Sequence, residues 1–185
     1  AAADAEGNWV AMTQTVNTGY GSLVIVPGTG VVLNNQMDDF AIAPGTPNAF
    51  GLVGAEANAV GPRKRPLSSM SPTIVLENGQ PVLSVGAAGG PTIITQVYHI
   101  ISNVIDHRMS LADAVAAPRT HHQALPDSIR IERNGFPPAA IARLEAMGHR
   151  MQVRGRWGDV EAIIRTPSGW LGASDPRLGG GGAGY

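Results

Sequence analysis

The apolar and polar positions alternate only briefly in the first third of the chain. Trp9 to Thr15 (WVAMTQT) alternates in part and runs into the turn-prone Asn17-Thr18-Gly19, and Leu23 to Val26 is a short apolar run closed by Pro27-Gly28. Both predict strands, and alternation would put Thr13, Thr15 and Asn17 on one face. From about Phe40 to Pro66, Gly, Pro, Ala and Asn dominate with little periodicity. Loops that long in compact domains are usually functional or mobile. Thr73 to Leu76 and Pro81 to Val85 then flank Asn78-Gly79, a hairpin signal because both central residues accept positive φ.

The period changes next. Pro91 to Asp106 carries Ile93, Ile94, Val97, Ile100, Ile101, Val104 and Ile105 at helical spacing, a stripe suited to packing on a sheet. Ser110 followed by Asp113 opens a short helix that must stop before Pro118. A third helix runs from Pro137-Pro138 to Met147, with Gly148 at its C′ position. Glu161 to Thr166 and Trp170 to Ala173 pair as strands around Pro167-Ser168-Gly169. Strands, then helices, then strands give an α+β layered domain without internal repeats.

Composition narrows the function. A chain of 185 residues can bury a sizeable core as one domain. A net charge of -1 with 15% charged residues leaves no footprint for nucleic acid or an anionic membrane. The cluster Arg63-Lys64-Arg65 reads as a surface or loop anchor. No apolar run approaches the ~20 residues needed to span a bilayer. Without cysteine, disulfides and thiolate chemistry are excluded. The 24 glycines fall in short clusters between apolar segments, which suggests tight turns and backbone brought close to a ligand.

Four polar segments could carry chemistry. Thr13-Gln14-Thr15-Val16-Asn17 reads equally as β-formers and a turn. Asn34-Asn35-Gln36-Met37-Asp38-Asp39 could cap a turn or hold an ammonium group, but lacks the glycine and terminal glutamate of an EF-hand. Arg65-Pro66-Leu67-Ser68-Ser69-Met70-Ser71-Pro72 sets hydroxyls on a restricted backbone able to face a carboxylate, or forms an ordinary polar loop; GxSxG is absent. Gly86-Ala87-Ala88-Gly89-Gly90 lies between a strand and a helix, where free N–H groups suit negative charge, or form a mere connection. His121-His122 has no acidic partner at zinc-ligand spacing and reads as a structural loop.

In order along the chain, these segments resemble the small subunit of γ-glutamyltranspeptidases. The likeness runs through PGTGVVLNNQMDDF, PNAFGLVG, ANAVGPRKRPLSSMSPTIV, NVIDH, APRTHHQ, LEAMGH and the closing GASDPR…AGY. It implies the αββα four-layer sandwich of N-terminal-nucleophile hydrolases, completed by a large subunit cut from the same precursor. The implied activity is transfer or hydrolysis of γ-glutamyl groups of glutathione through an ester on an N-terminal threonine, expected a few residues upstream of Ala1. Residue by residue, Thr15 would support that nucleophile, and Gly89 and Gly90 would donate N–H bonds to the oxyanion. Asn17, Gln36, Asp39, Ser68 and Ser69 would grip the glutamyl α-amino and α-carboxylate groups. Residues 44–56 would form a lid with Phe50 at its gating position. The resemblance implies no metal or other cofactor, amino acid, peptide or water as acceptor, and a periplasmic or extracellular location.

The chain departs from the family pattern at Ala87-Ala88, where Ser-Pro is usual before the glycine pair, and at Arg156 to Glu161. These departures leave open an acylase of the same family acting on glutaryl or cephalosporin-type amides. An inactive subunit follows if the threonine is truly missing.

Overall fold

The computed structural model describes residues 1–184. In chain order the regular elements are β1 (Ala2–Ala3), β2 (Trp9–Val10), β3 (Thr73–Glu77), β4 (Gln80–Ala88), α1 (Thr92–Ile105), α2 (Leu111–Ala116), β5 (Thr120–His121), β6 (Ile129–Glu132), α3 (Pro138–Ala146), β7 (Met151–Arg154), β8 (Asp159–Thr166) and β9 (Gly169–Ser174). Short 3-10 turns cover Gln36–Asp39 and Glu56–Asn58. The chain forms two compact units: Ala1–Thr13 together with the chain from Met70 onward, and Gln14–Ser69.

The first unit is built on an antiparallel sheet ordered β3-β4-β8-β9. The β3–β4 hairpin turns through Asn78 and Gly79 at φ 50° and 80°, as the Asn-Gly pair predicts. Leu83, Val85 and Ala87 of β4 and Val160 and Ala162 of β8 share a buried cluster with Ile93, Val97 and Ile100 of α1 and Leu111 and Val115 of α2. Ser84 and Gly86, at alternate positions of β4, are also buried: Ser84 Oγ donates to Val10 O at 2.9 Å, and Gly86 lies against the Met12 carbonyl. A strand covered on both faces reads as a continuous small-apolar run, as β4 does.

Helix α2 begins where the capping pattern predicts: Ser110 Oγ accepts the Asp113 N–H at 3.1 Å. α3 ends with Gly148 at φ 94°. Ile94 leaves the predicted stripe of α1 and stands 54% exposed, while Gln96 takes a core position at 1%. A second, mixed sheet ordered β5-β6-β7 has no counterpart in the sequence expectations. It places His121 on a strand rather than a loop, buried, between Thr95 Oγ1 and Gln123 Oε1, each 2.9 Å from a ring nitrogen. Burial holds that ring below its ordinary pKa, and the histidine is structural as expected.

Glu132 of β6 belongs to an ion network that the sequence patterns did not single out. Arg177 grips Glu132 in a fork, Nε to Oε1 and Nη2 to Oε2, both at 2.7 Å, and reaches Asp175 Oδ1 at 3.1 Å. Asp175 also pairs with the buried Arg119 and accepts the Val160 N–H at 3.0 Å. Burial pushes the Glu132 carboxyl up, but Arg177 and two backbone N–H groups outweigh it and hold the group below the usual glutamate range.

The second unit has little regular structure. Leu23 to Val26 makes no strand, only an isolated bridge between Ile25 and Val32. The strand expected over Trp9 to Thr15 ends at Val10, so Thr13, Thr15 and Asn17 share no strand face. Thr13 belongs to the first unit, where its hydroxyl lies 3.4 Å from Ala87 O. Thr15 Oγ1 instead accepts the Asn17 N–H at 2.8 Å and Asn17 sits at φ 82°, a local turn of the kind that Thr and Asn offer in place of a ladder. Phe40 and Ala41, both buried, anchor the unit. Lys64 donates to the carbonyls of Ala57 and Ala59 at 3.4 and 3.2 Å, the loop anchoring expected of the basic cluster.

Candidate active site

Within the second unit, asparagine side chains do the work that a strand ladder would otherwise do. Asn35 Oδ1 accepts Thr18 N at 3.1 Å while its Nδ2 donates to Asp38 Oδ2 at 2.7 Å, pinning the 3-10 turn that carries Gln36 and Asp39. Asn17 Nδ2 donates to Asn35 O at 3.1 Å, and Gln36 Nε2 donates to Thr15 O at 3.3 Å. Thr15, Asn17, Gln36 and Asp39 are therefore brought together around one polar turn. Partial burial raises the Asp39 carboxyl above its ordinary value, the Asn17 side-chain amide lowers it, and the neighbouring Asp38 charge raises it further. A carboxylate in that setting gains by pairing with a cation.

Asn58 extends this arrangement. Its Nδ2 donates to Asp39 O and its Oδ1 accepts Leu67 N, both at 2.9 Å. One amide thus ties the backbone of Asp39 to the residue preceding Ser68, an exposed serine followed by the half-buried Ser69. Sequence reasoning gave Asn58 no role. Its signal was slight: a lone amide in an Ala- and Gly-rich stretch too long to be an inert connection.

The segment proposed as a lid folds back on itself. Gly45 N–H donates to Gly54 O, Asn48 N–H donates to Leu52 O, and Pro47 bridges Val53. Asn48 Oδ1 accepts the N–H of Phe50 and of Leu52, both at 3.0 Å, and so fixes the backbone of the half-buried Phe50.

Gly89 and Gly90 lie in the first unit, at the end of β4 and before α1, at φ 139° and 59°. Gly89 is exposed and its carbonyl accepts Thr92 Oγ1 at 2.8 Å; Thr92 and Ile93 return their N–H groups to Gly89 O and Gly90 O at 3.3 and 3.1 Å. A Cβ on Gly89 would meet Thr92 Oγ1 at 2.7 Å, so glycine is required there by both space and φ. The Ala87-Ala88 departure is absorbed within β4, where the two residues pair with Val160 and Asp159 of β8. Burial raises the Asp159 carboxyl at the start of β8, with Asp175 raising it further and Arg119 opposing.

The chain is similar over almost its whole length to several known proteins. A glutathione hydrolase proenzyme of Escherichia coli (strain K12) is 50% identical over 175 residues, 94% of this chain; the chain spans 30% of that relative's length. A γ-glutamyltranspeptidase mutant of Helicobacter pylori matches with a TM-score of 0.92 and 50% identity, covering 96% of this chain and 97% of that one. The γ-glutamyltranspeptidase of Pseudomonas nitroreducens complexed with L-DON matches at a TM-score of 0.93 and 43% identity, covering 100% and 97%. The α+β sandwich of N-terminal-nucleophile hydrolases expected from the sequence is the fold these structures share with it. The family model described as gamma-glutamyltranspeptidase matches residues 1–185, and the chain belongs to that family.

Proposed function

We propose that this chain is the small, catalytic subunit of a γ-glutamyltranspeptidase, acting on glutathione and related γ-glutamyl amides in partnership with a large subunit of the same precursor. The observation that carries the reading is the gathering of Thr15, Asn17, Gln36 and Asp39 about one turn, with the Ser68 segment tied to it by Asn58. That set combines a carboxylate for an ammonium group with hydroxyl and amide donors for a carboxylate, the two charged ends of a glutamyl group. The exposed Tyr20, Leu23, Ile25 and Ile42 are apolar surface that a partner subunit would cover.

The nucleophile in this reading is a threonine upstream of Ala1. Its hydroxyl oxygen adds to the γ-carbonyl carbon while its α-amino group takes the hydroxyl proton. The Gly89 and Gly90 N–H groups hold the resulting oxyanion. The C–N bond then breaks, the leaving nitrogen takes the proton, and water or an acceptor amine opens the ester. Thr15 orients the nucleophile, and residues 44–56 with Phe50 cover the site. No metal or cofactor takes part. By its family membership we place the enzyme in the periplasm or outside the cell. Among the described residues no helix is long and apolar enough to cross a membrane.

The test is a comparison of γ-glutamyl and glutaryl anilides on the complete processed enzyme. The expected result is a clear preference in kcat/KM for the γ-glutamyl compound, because Asp39 has a counter-charge only there. Preference for the glutaryl compound would sink the reading in favour of a carboxyacyl acylase.

A further inference from the structure

The apolar stripe of α1 is broken one turn in from its N-terminus by Gln96, 1% exposed. Its Nε2 donates to Ala88 O at 3.2 Å and to Thr92 Oγ1 at 2.9 Å, and Thr92 Oγ1 passes its own hydrogen to Gly89 O at 2.8 Å. The two carbonyls belong to successive peptide groups. In a trans peptide the C=O of one residue and the N–H of the next point to opposite sides. Drawing Ala88 O and Gly89 O toward the helix therefore turns the Gly89 and Gly90 N–H groups away from it, and neither finds an acceptor among the described residues.

The surroundings fit this arrangement. A Cβ on Gly89 would stand 2.8 Å from Gln96 Nε2, and one on Gly158 would overlap the Gln96 carboxamide. Gln96 Oε1 is buried without a partner among the described residues. An unsatisfied buried oxygen costs free energy, so a methionine or leucine would serve a purely packing role better. The reverse amide orientation would set Oε1 against the Ala88 carbonyl.

We infer that Gln96, acting through Thr92, is a positioning residue that fixes the Ala88–Gly89 and Gly89–Gly90 peptide planes so that both N–H groups stand ready for the oxyanion. It touches neither substrate nor nucleophile. The inference rests on the assignment of Gly89 and Gly90 as oxyanion donors.

In the complete processed enzyme, Gln96→Met keeps the side-chain length but loses both donations. Its kcat for a γ-glutamyl anilide should fall about 10- to 100-fold, the scale of misplaced rather than deleted oxyanion donors, with KM within about twofold. Affinity for a γ-boronic acid analogue of glutamate, whose adduct carries an anionic tetrahedral centre, should fall with kcat while affinity for glutamate itself holds. Thr92→Val breaks the same relay at its second link and Thr92→Ser restores it, so kcat should drop in the first and return in the second, including where Gln96→Met does not fold. Unchanged kcat in Gln96→Met and Thr92→Val, or a loss of kcat without loss of boronate affinity, overturns the inference. An unsubstituted enzyme that binds the boronate no more tightly than glutamate defeats the oxyanion assignment, and this inference with it.

Discussion

The two compact units of this chain solve the same backbone problem by different means. From Met70 onward, sheet and helix satisfy most peptide groups, and Leu83, Val85, Ile100 and Val160 are almost wholly buried between them. Between Gln14 and Ser69 only Phe40 and Ala41 reach that degree of burial among the apolar residues, while Tyr20, Leu23 and Ile42 stand 75%, 80% and 74% exposed. There Asn17, Asn35, Asn48 and Asn58 take over, each bonding backbone groups that no strand serves. The regular unit can hold backbone donors such as Gly89 and Gly90 in place by ladder and helix geometry. An irregular unit can display side chains of several chemistries on one short turn, at the expense of its own core.

The contrast can be broken most forcefully in the regular unit. Asp175→Ala should cost ~3–5 kcal/mol in thermal unfolding, because the buried Arg119 loses the carboxylate it is paired with. A loss below ~1 kcal/mol would mean that the network is ornamental. The same unit should be acid-sensitive with a definite sign. Glu132 binds its proton less readily folded than unfolded, so its stabilisation is present above the ordinary glutamate range and drains away as pH falls through its lowered pKa. Glu132→Gln should be less stable at neutral pH and show a flatter decline on acidification.

The next effect belongs to the irregular unit. On the proposed reading, Asp39→Ala should raise the donor KM by at least tenfold, whereas Thr13→Ala changes it little, because only the first loses a charge opposite a substrate ammonium. Asp39 has a raised pKa, and in that role it must be ionised, so KM should climb on acidification from above the ordinary aspartate range, a limb absent in Asp39→Asn. Equal, small effects of Asp39→Ala and Thr13→Ala would remove Asp39 from the site.

Asn58→Ala should give the smallest change, a several-fold rise in donor KM with an unaltered kcat. It severs two hydrogen bonds worth ~1 kcal/mol each, positions Ser68 less firmly and leaves the regular unit untouched. A fall in kcat with constant KM would show that the clamp serves chemistry rather than substrate binding.

Helical periodicity made α1 legible, and caps and turn residues made the rest so: Asn78-Gly79 the β3–β4 hairpin, Ser110 and Asp113 α2, Pro137-Pro138 and Gly148 α3, and Pro167-Ser168-Gly169 the β8–β9 pair. The strands of the second sheet escaped notice: β5 is two residues long, and β6 and β7 offer four positions each, too few for a period to emerge. The polar residues around Asp39 could be singled out as types but not as a cluster. Their approach depends on positive φ at Asn17 and on amide-to-carbonyl bonds such as Asn58 to Asp39, which leave no regular spacing.

What the sequence determined by itself was the family, the α+β class and the identity of the polar side chains, since those rest on residue types in fixed order. Which of them share a turn was decided by tertiary structure alone, as was the burial of Gln96 under a glycine loop and the gathering of Arg119, Glu132, Asp175 and Arg177 from distant stretches into one ion network. Directional bonds between groups far apart in the chain carry no periodic signal. They form only when packing has already set the distances.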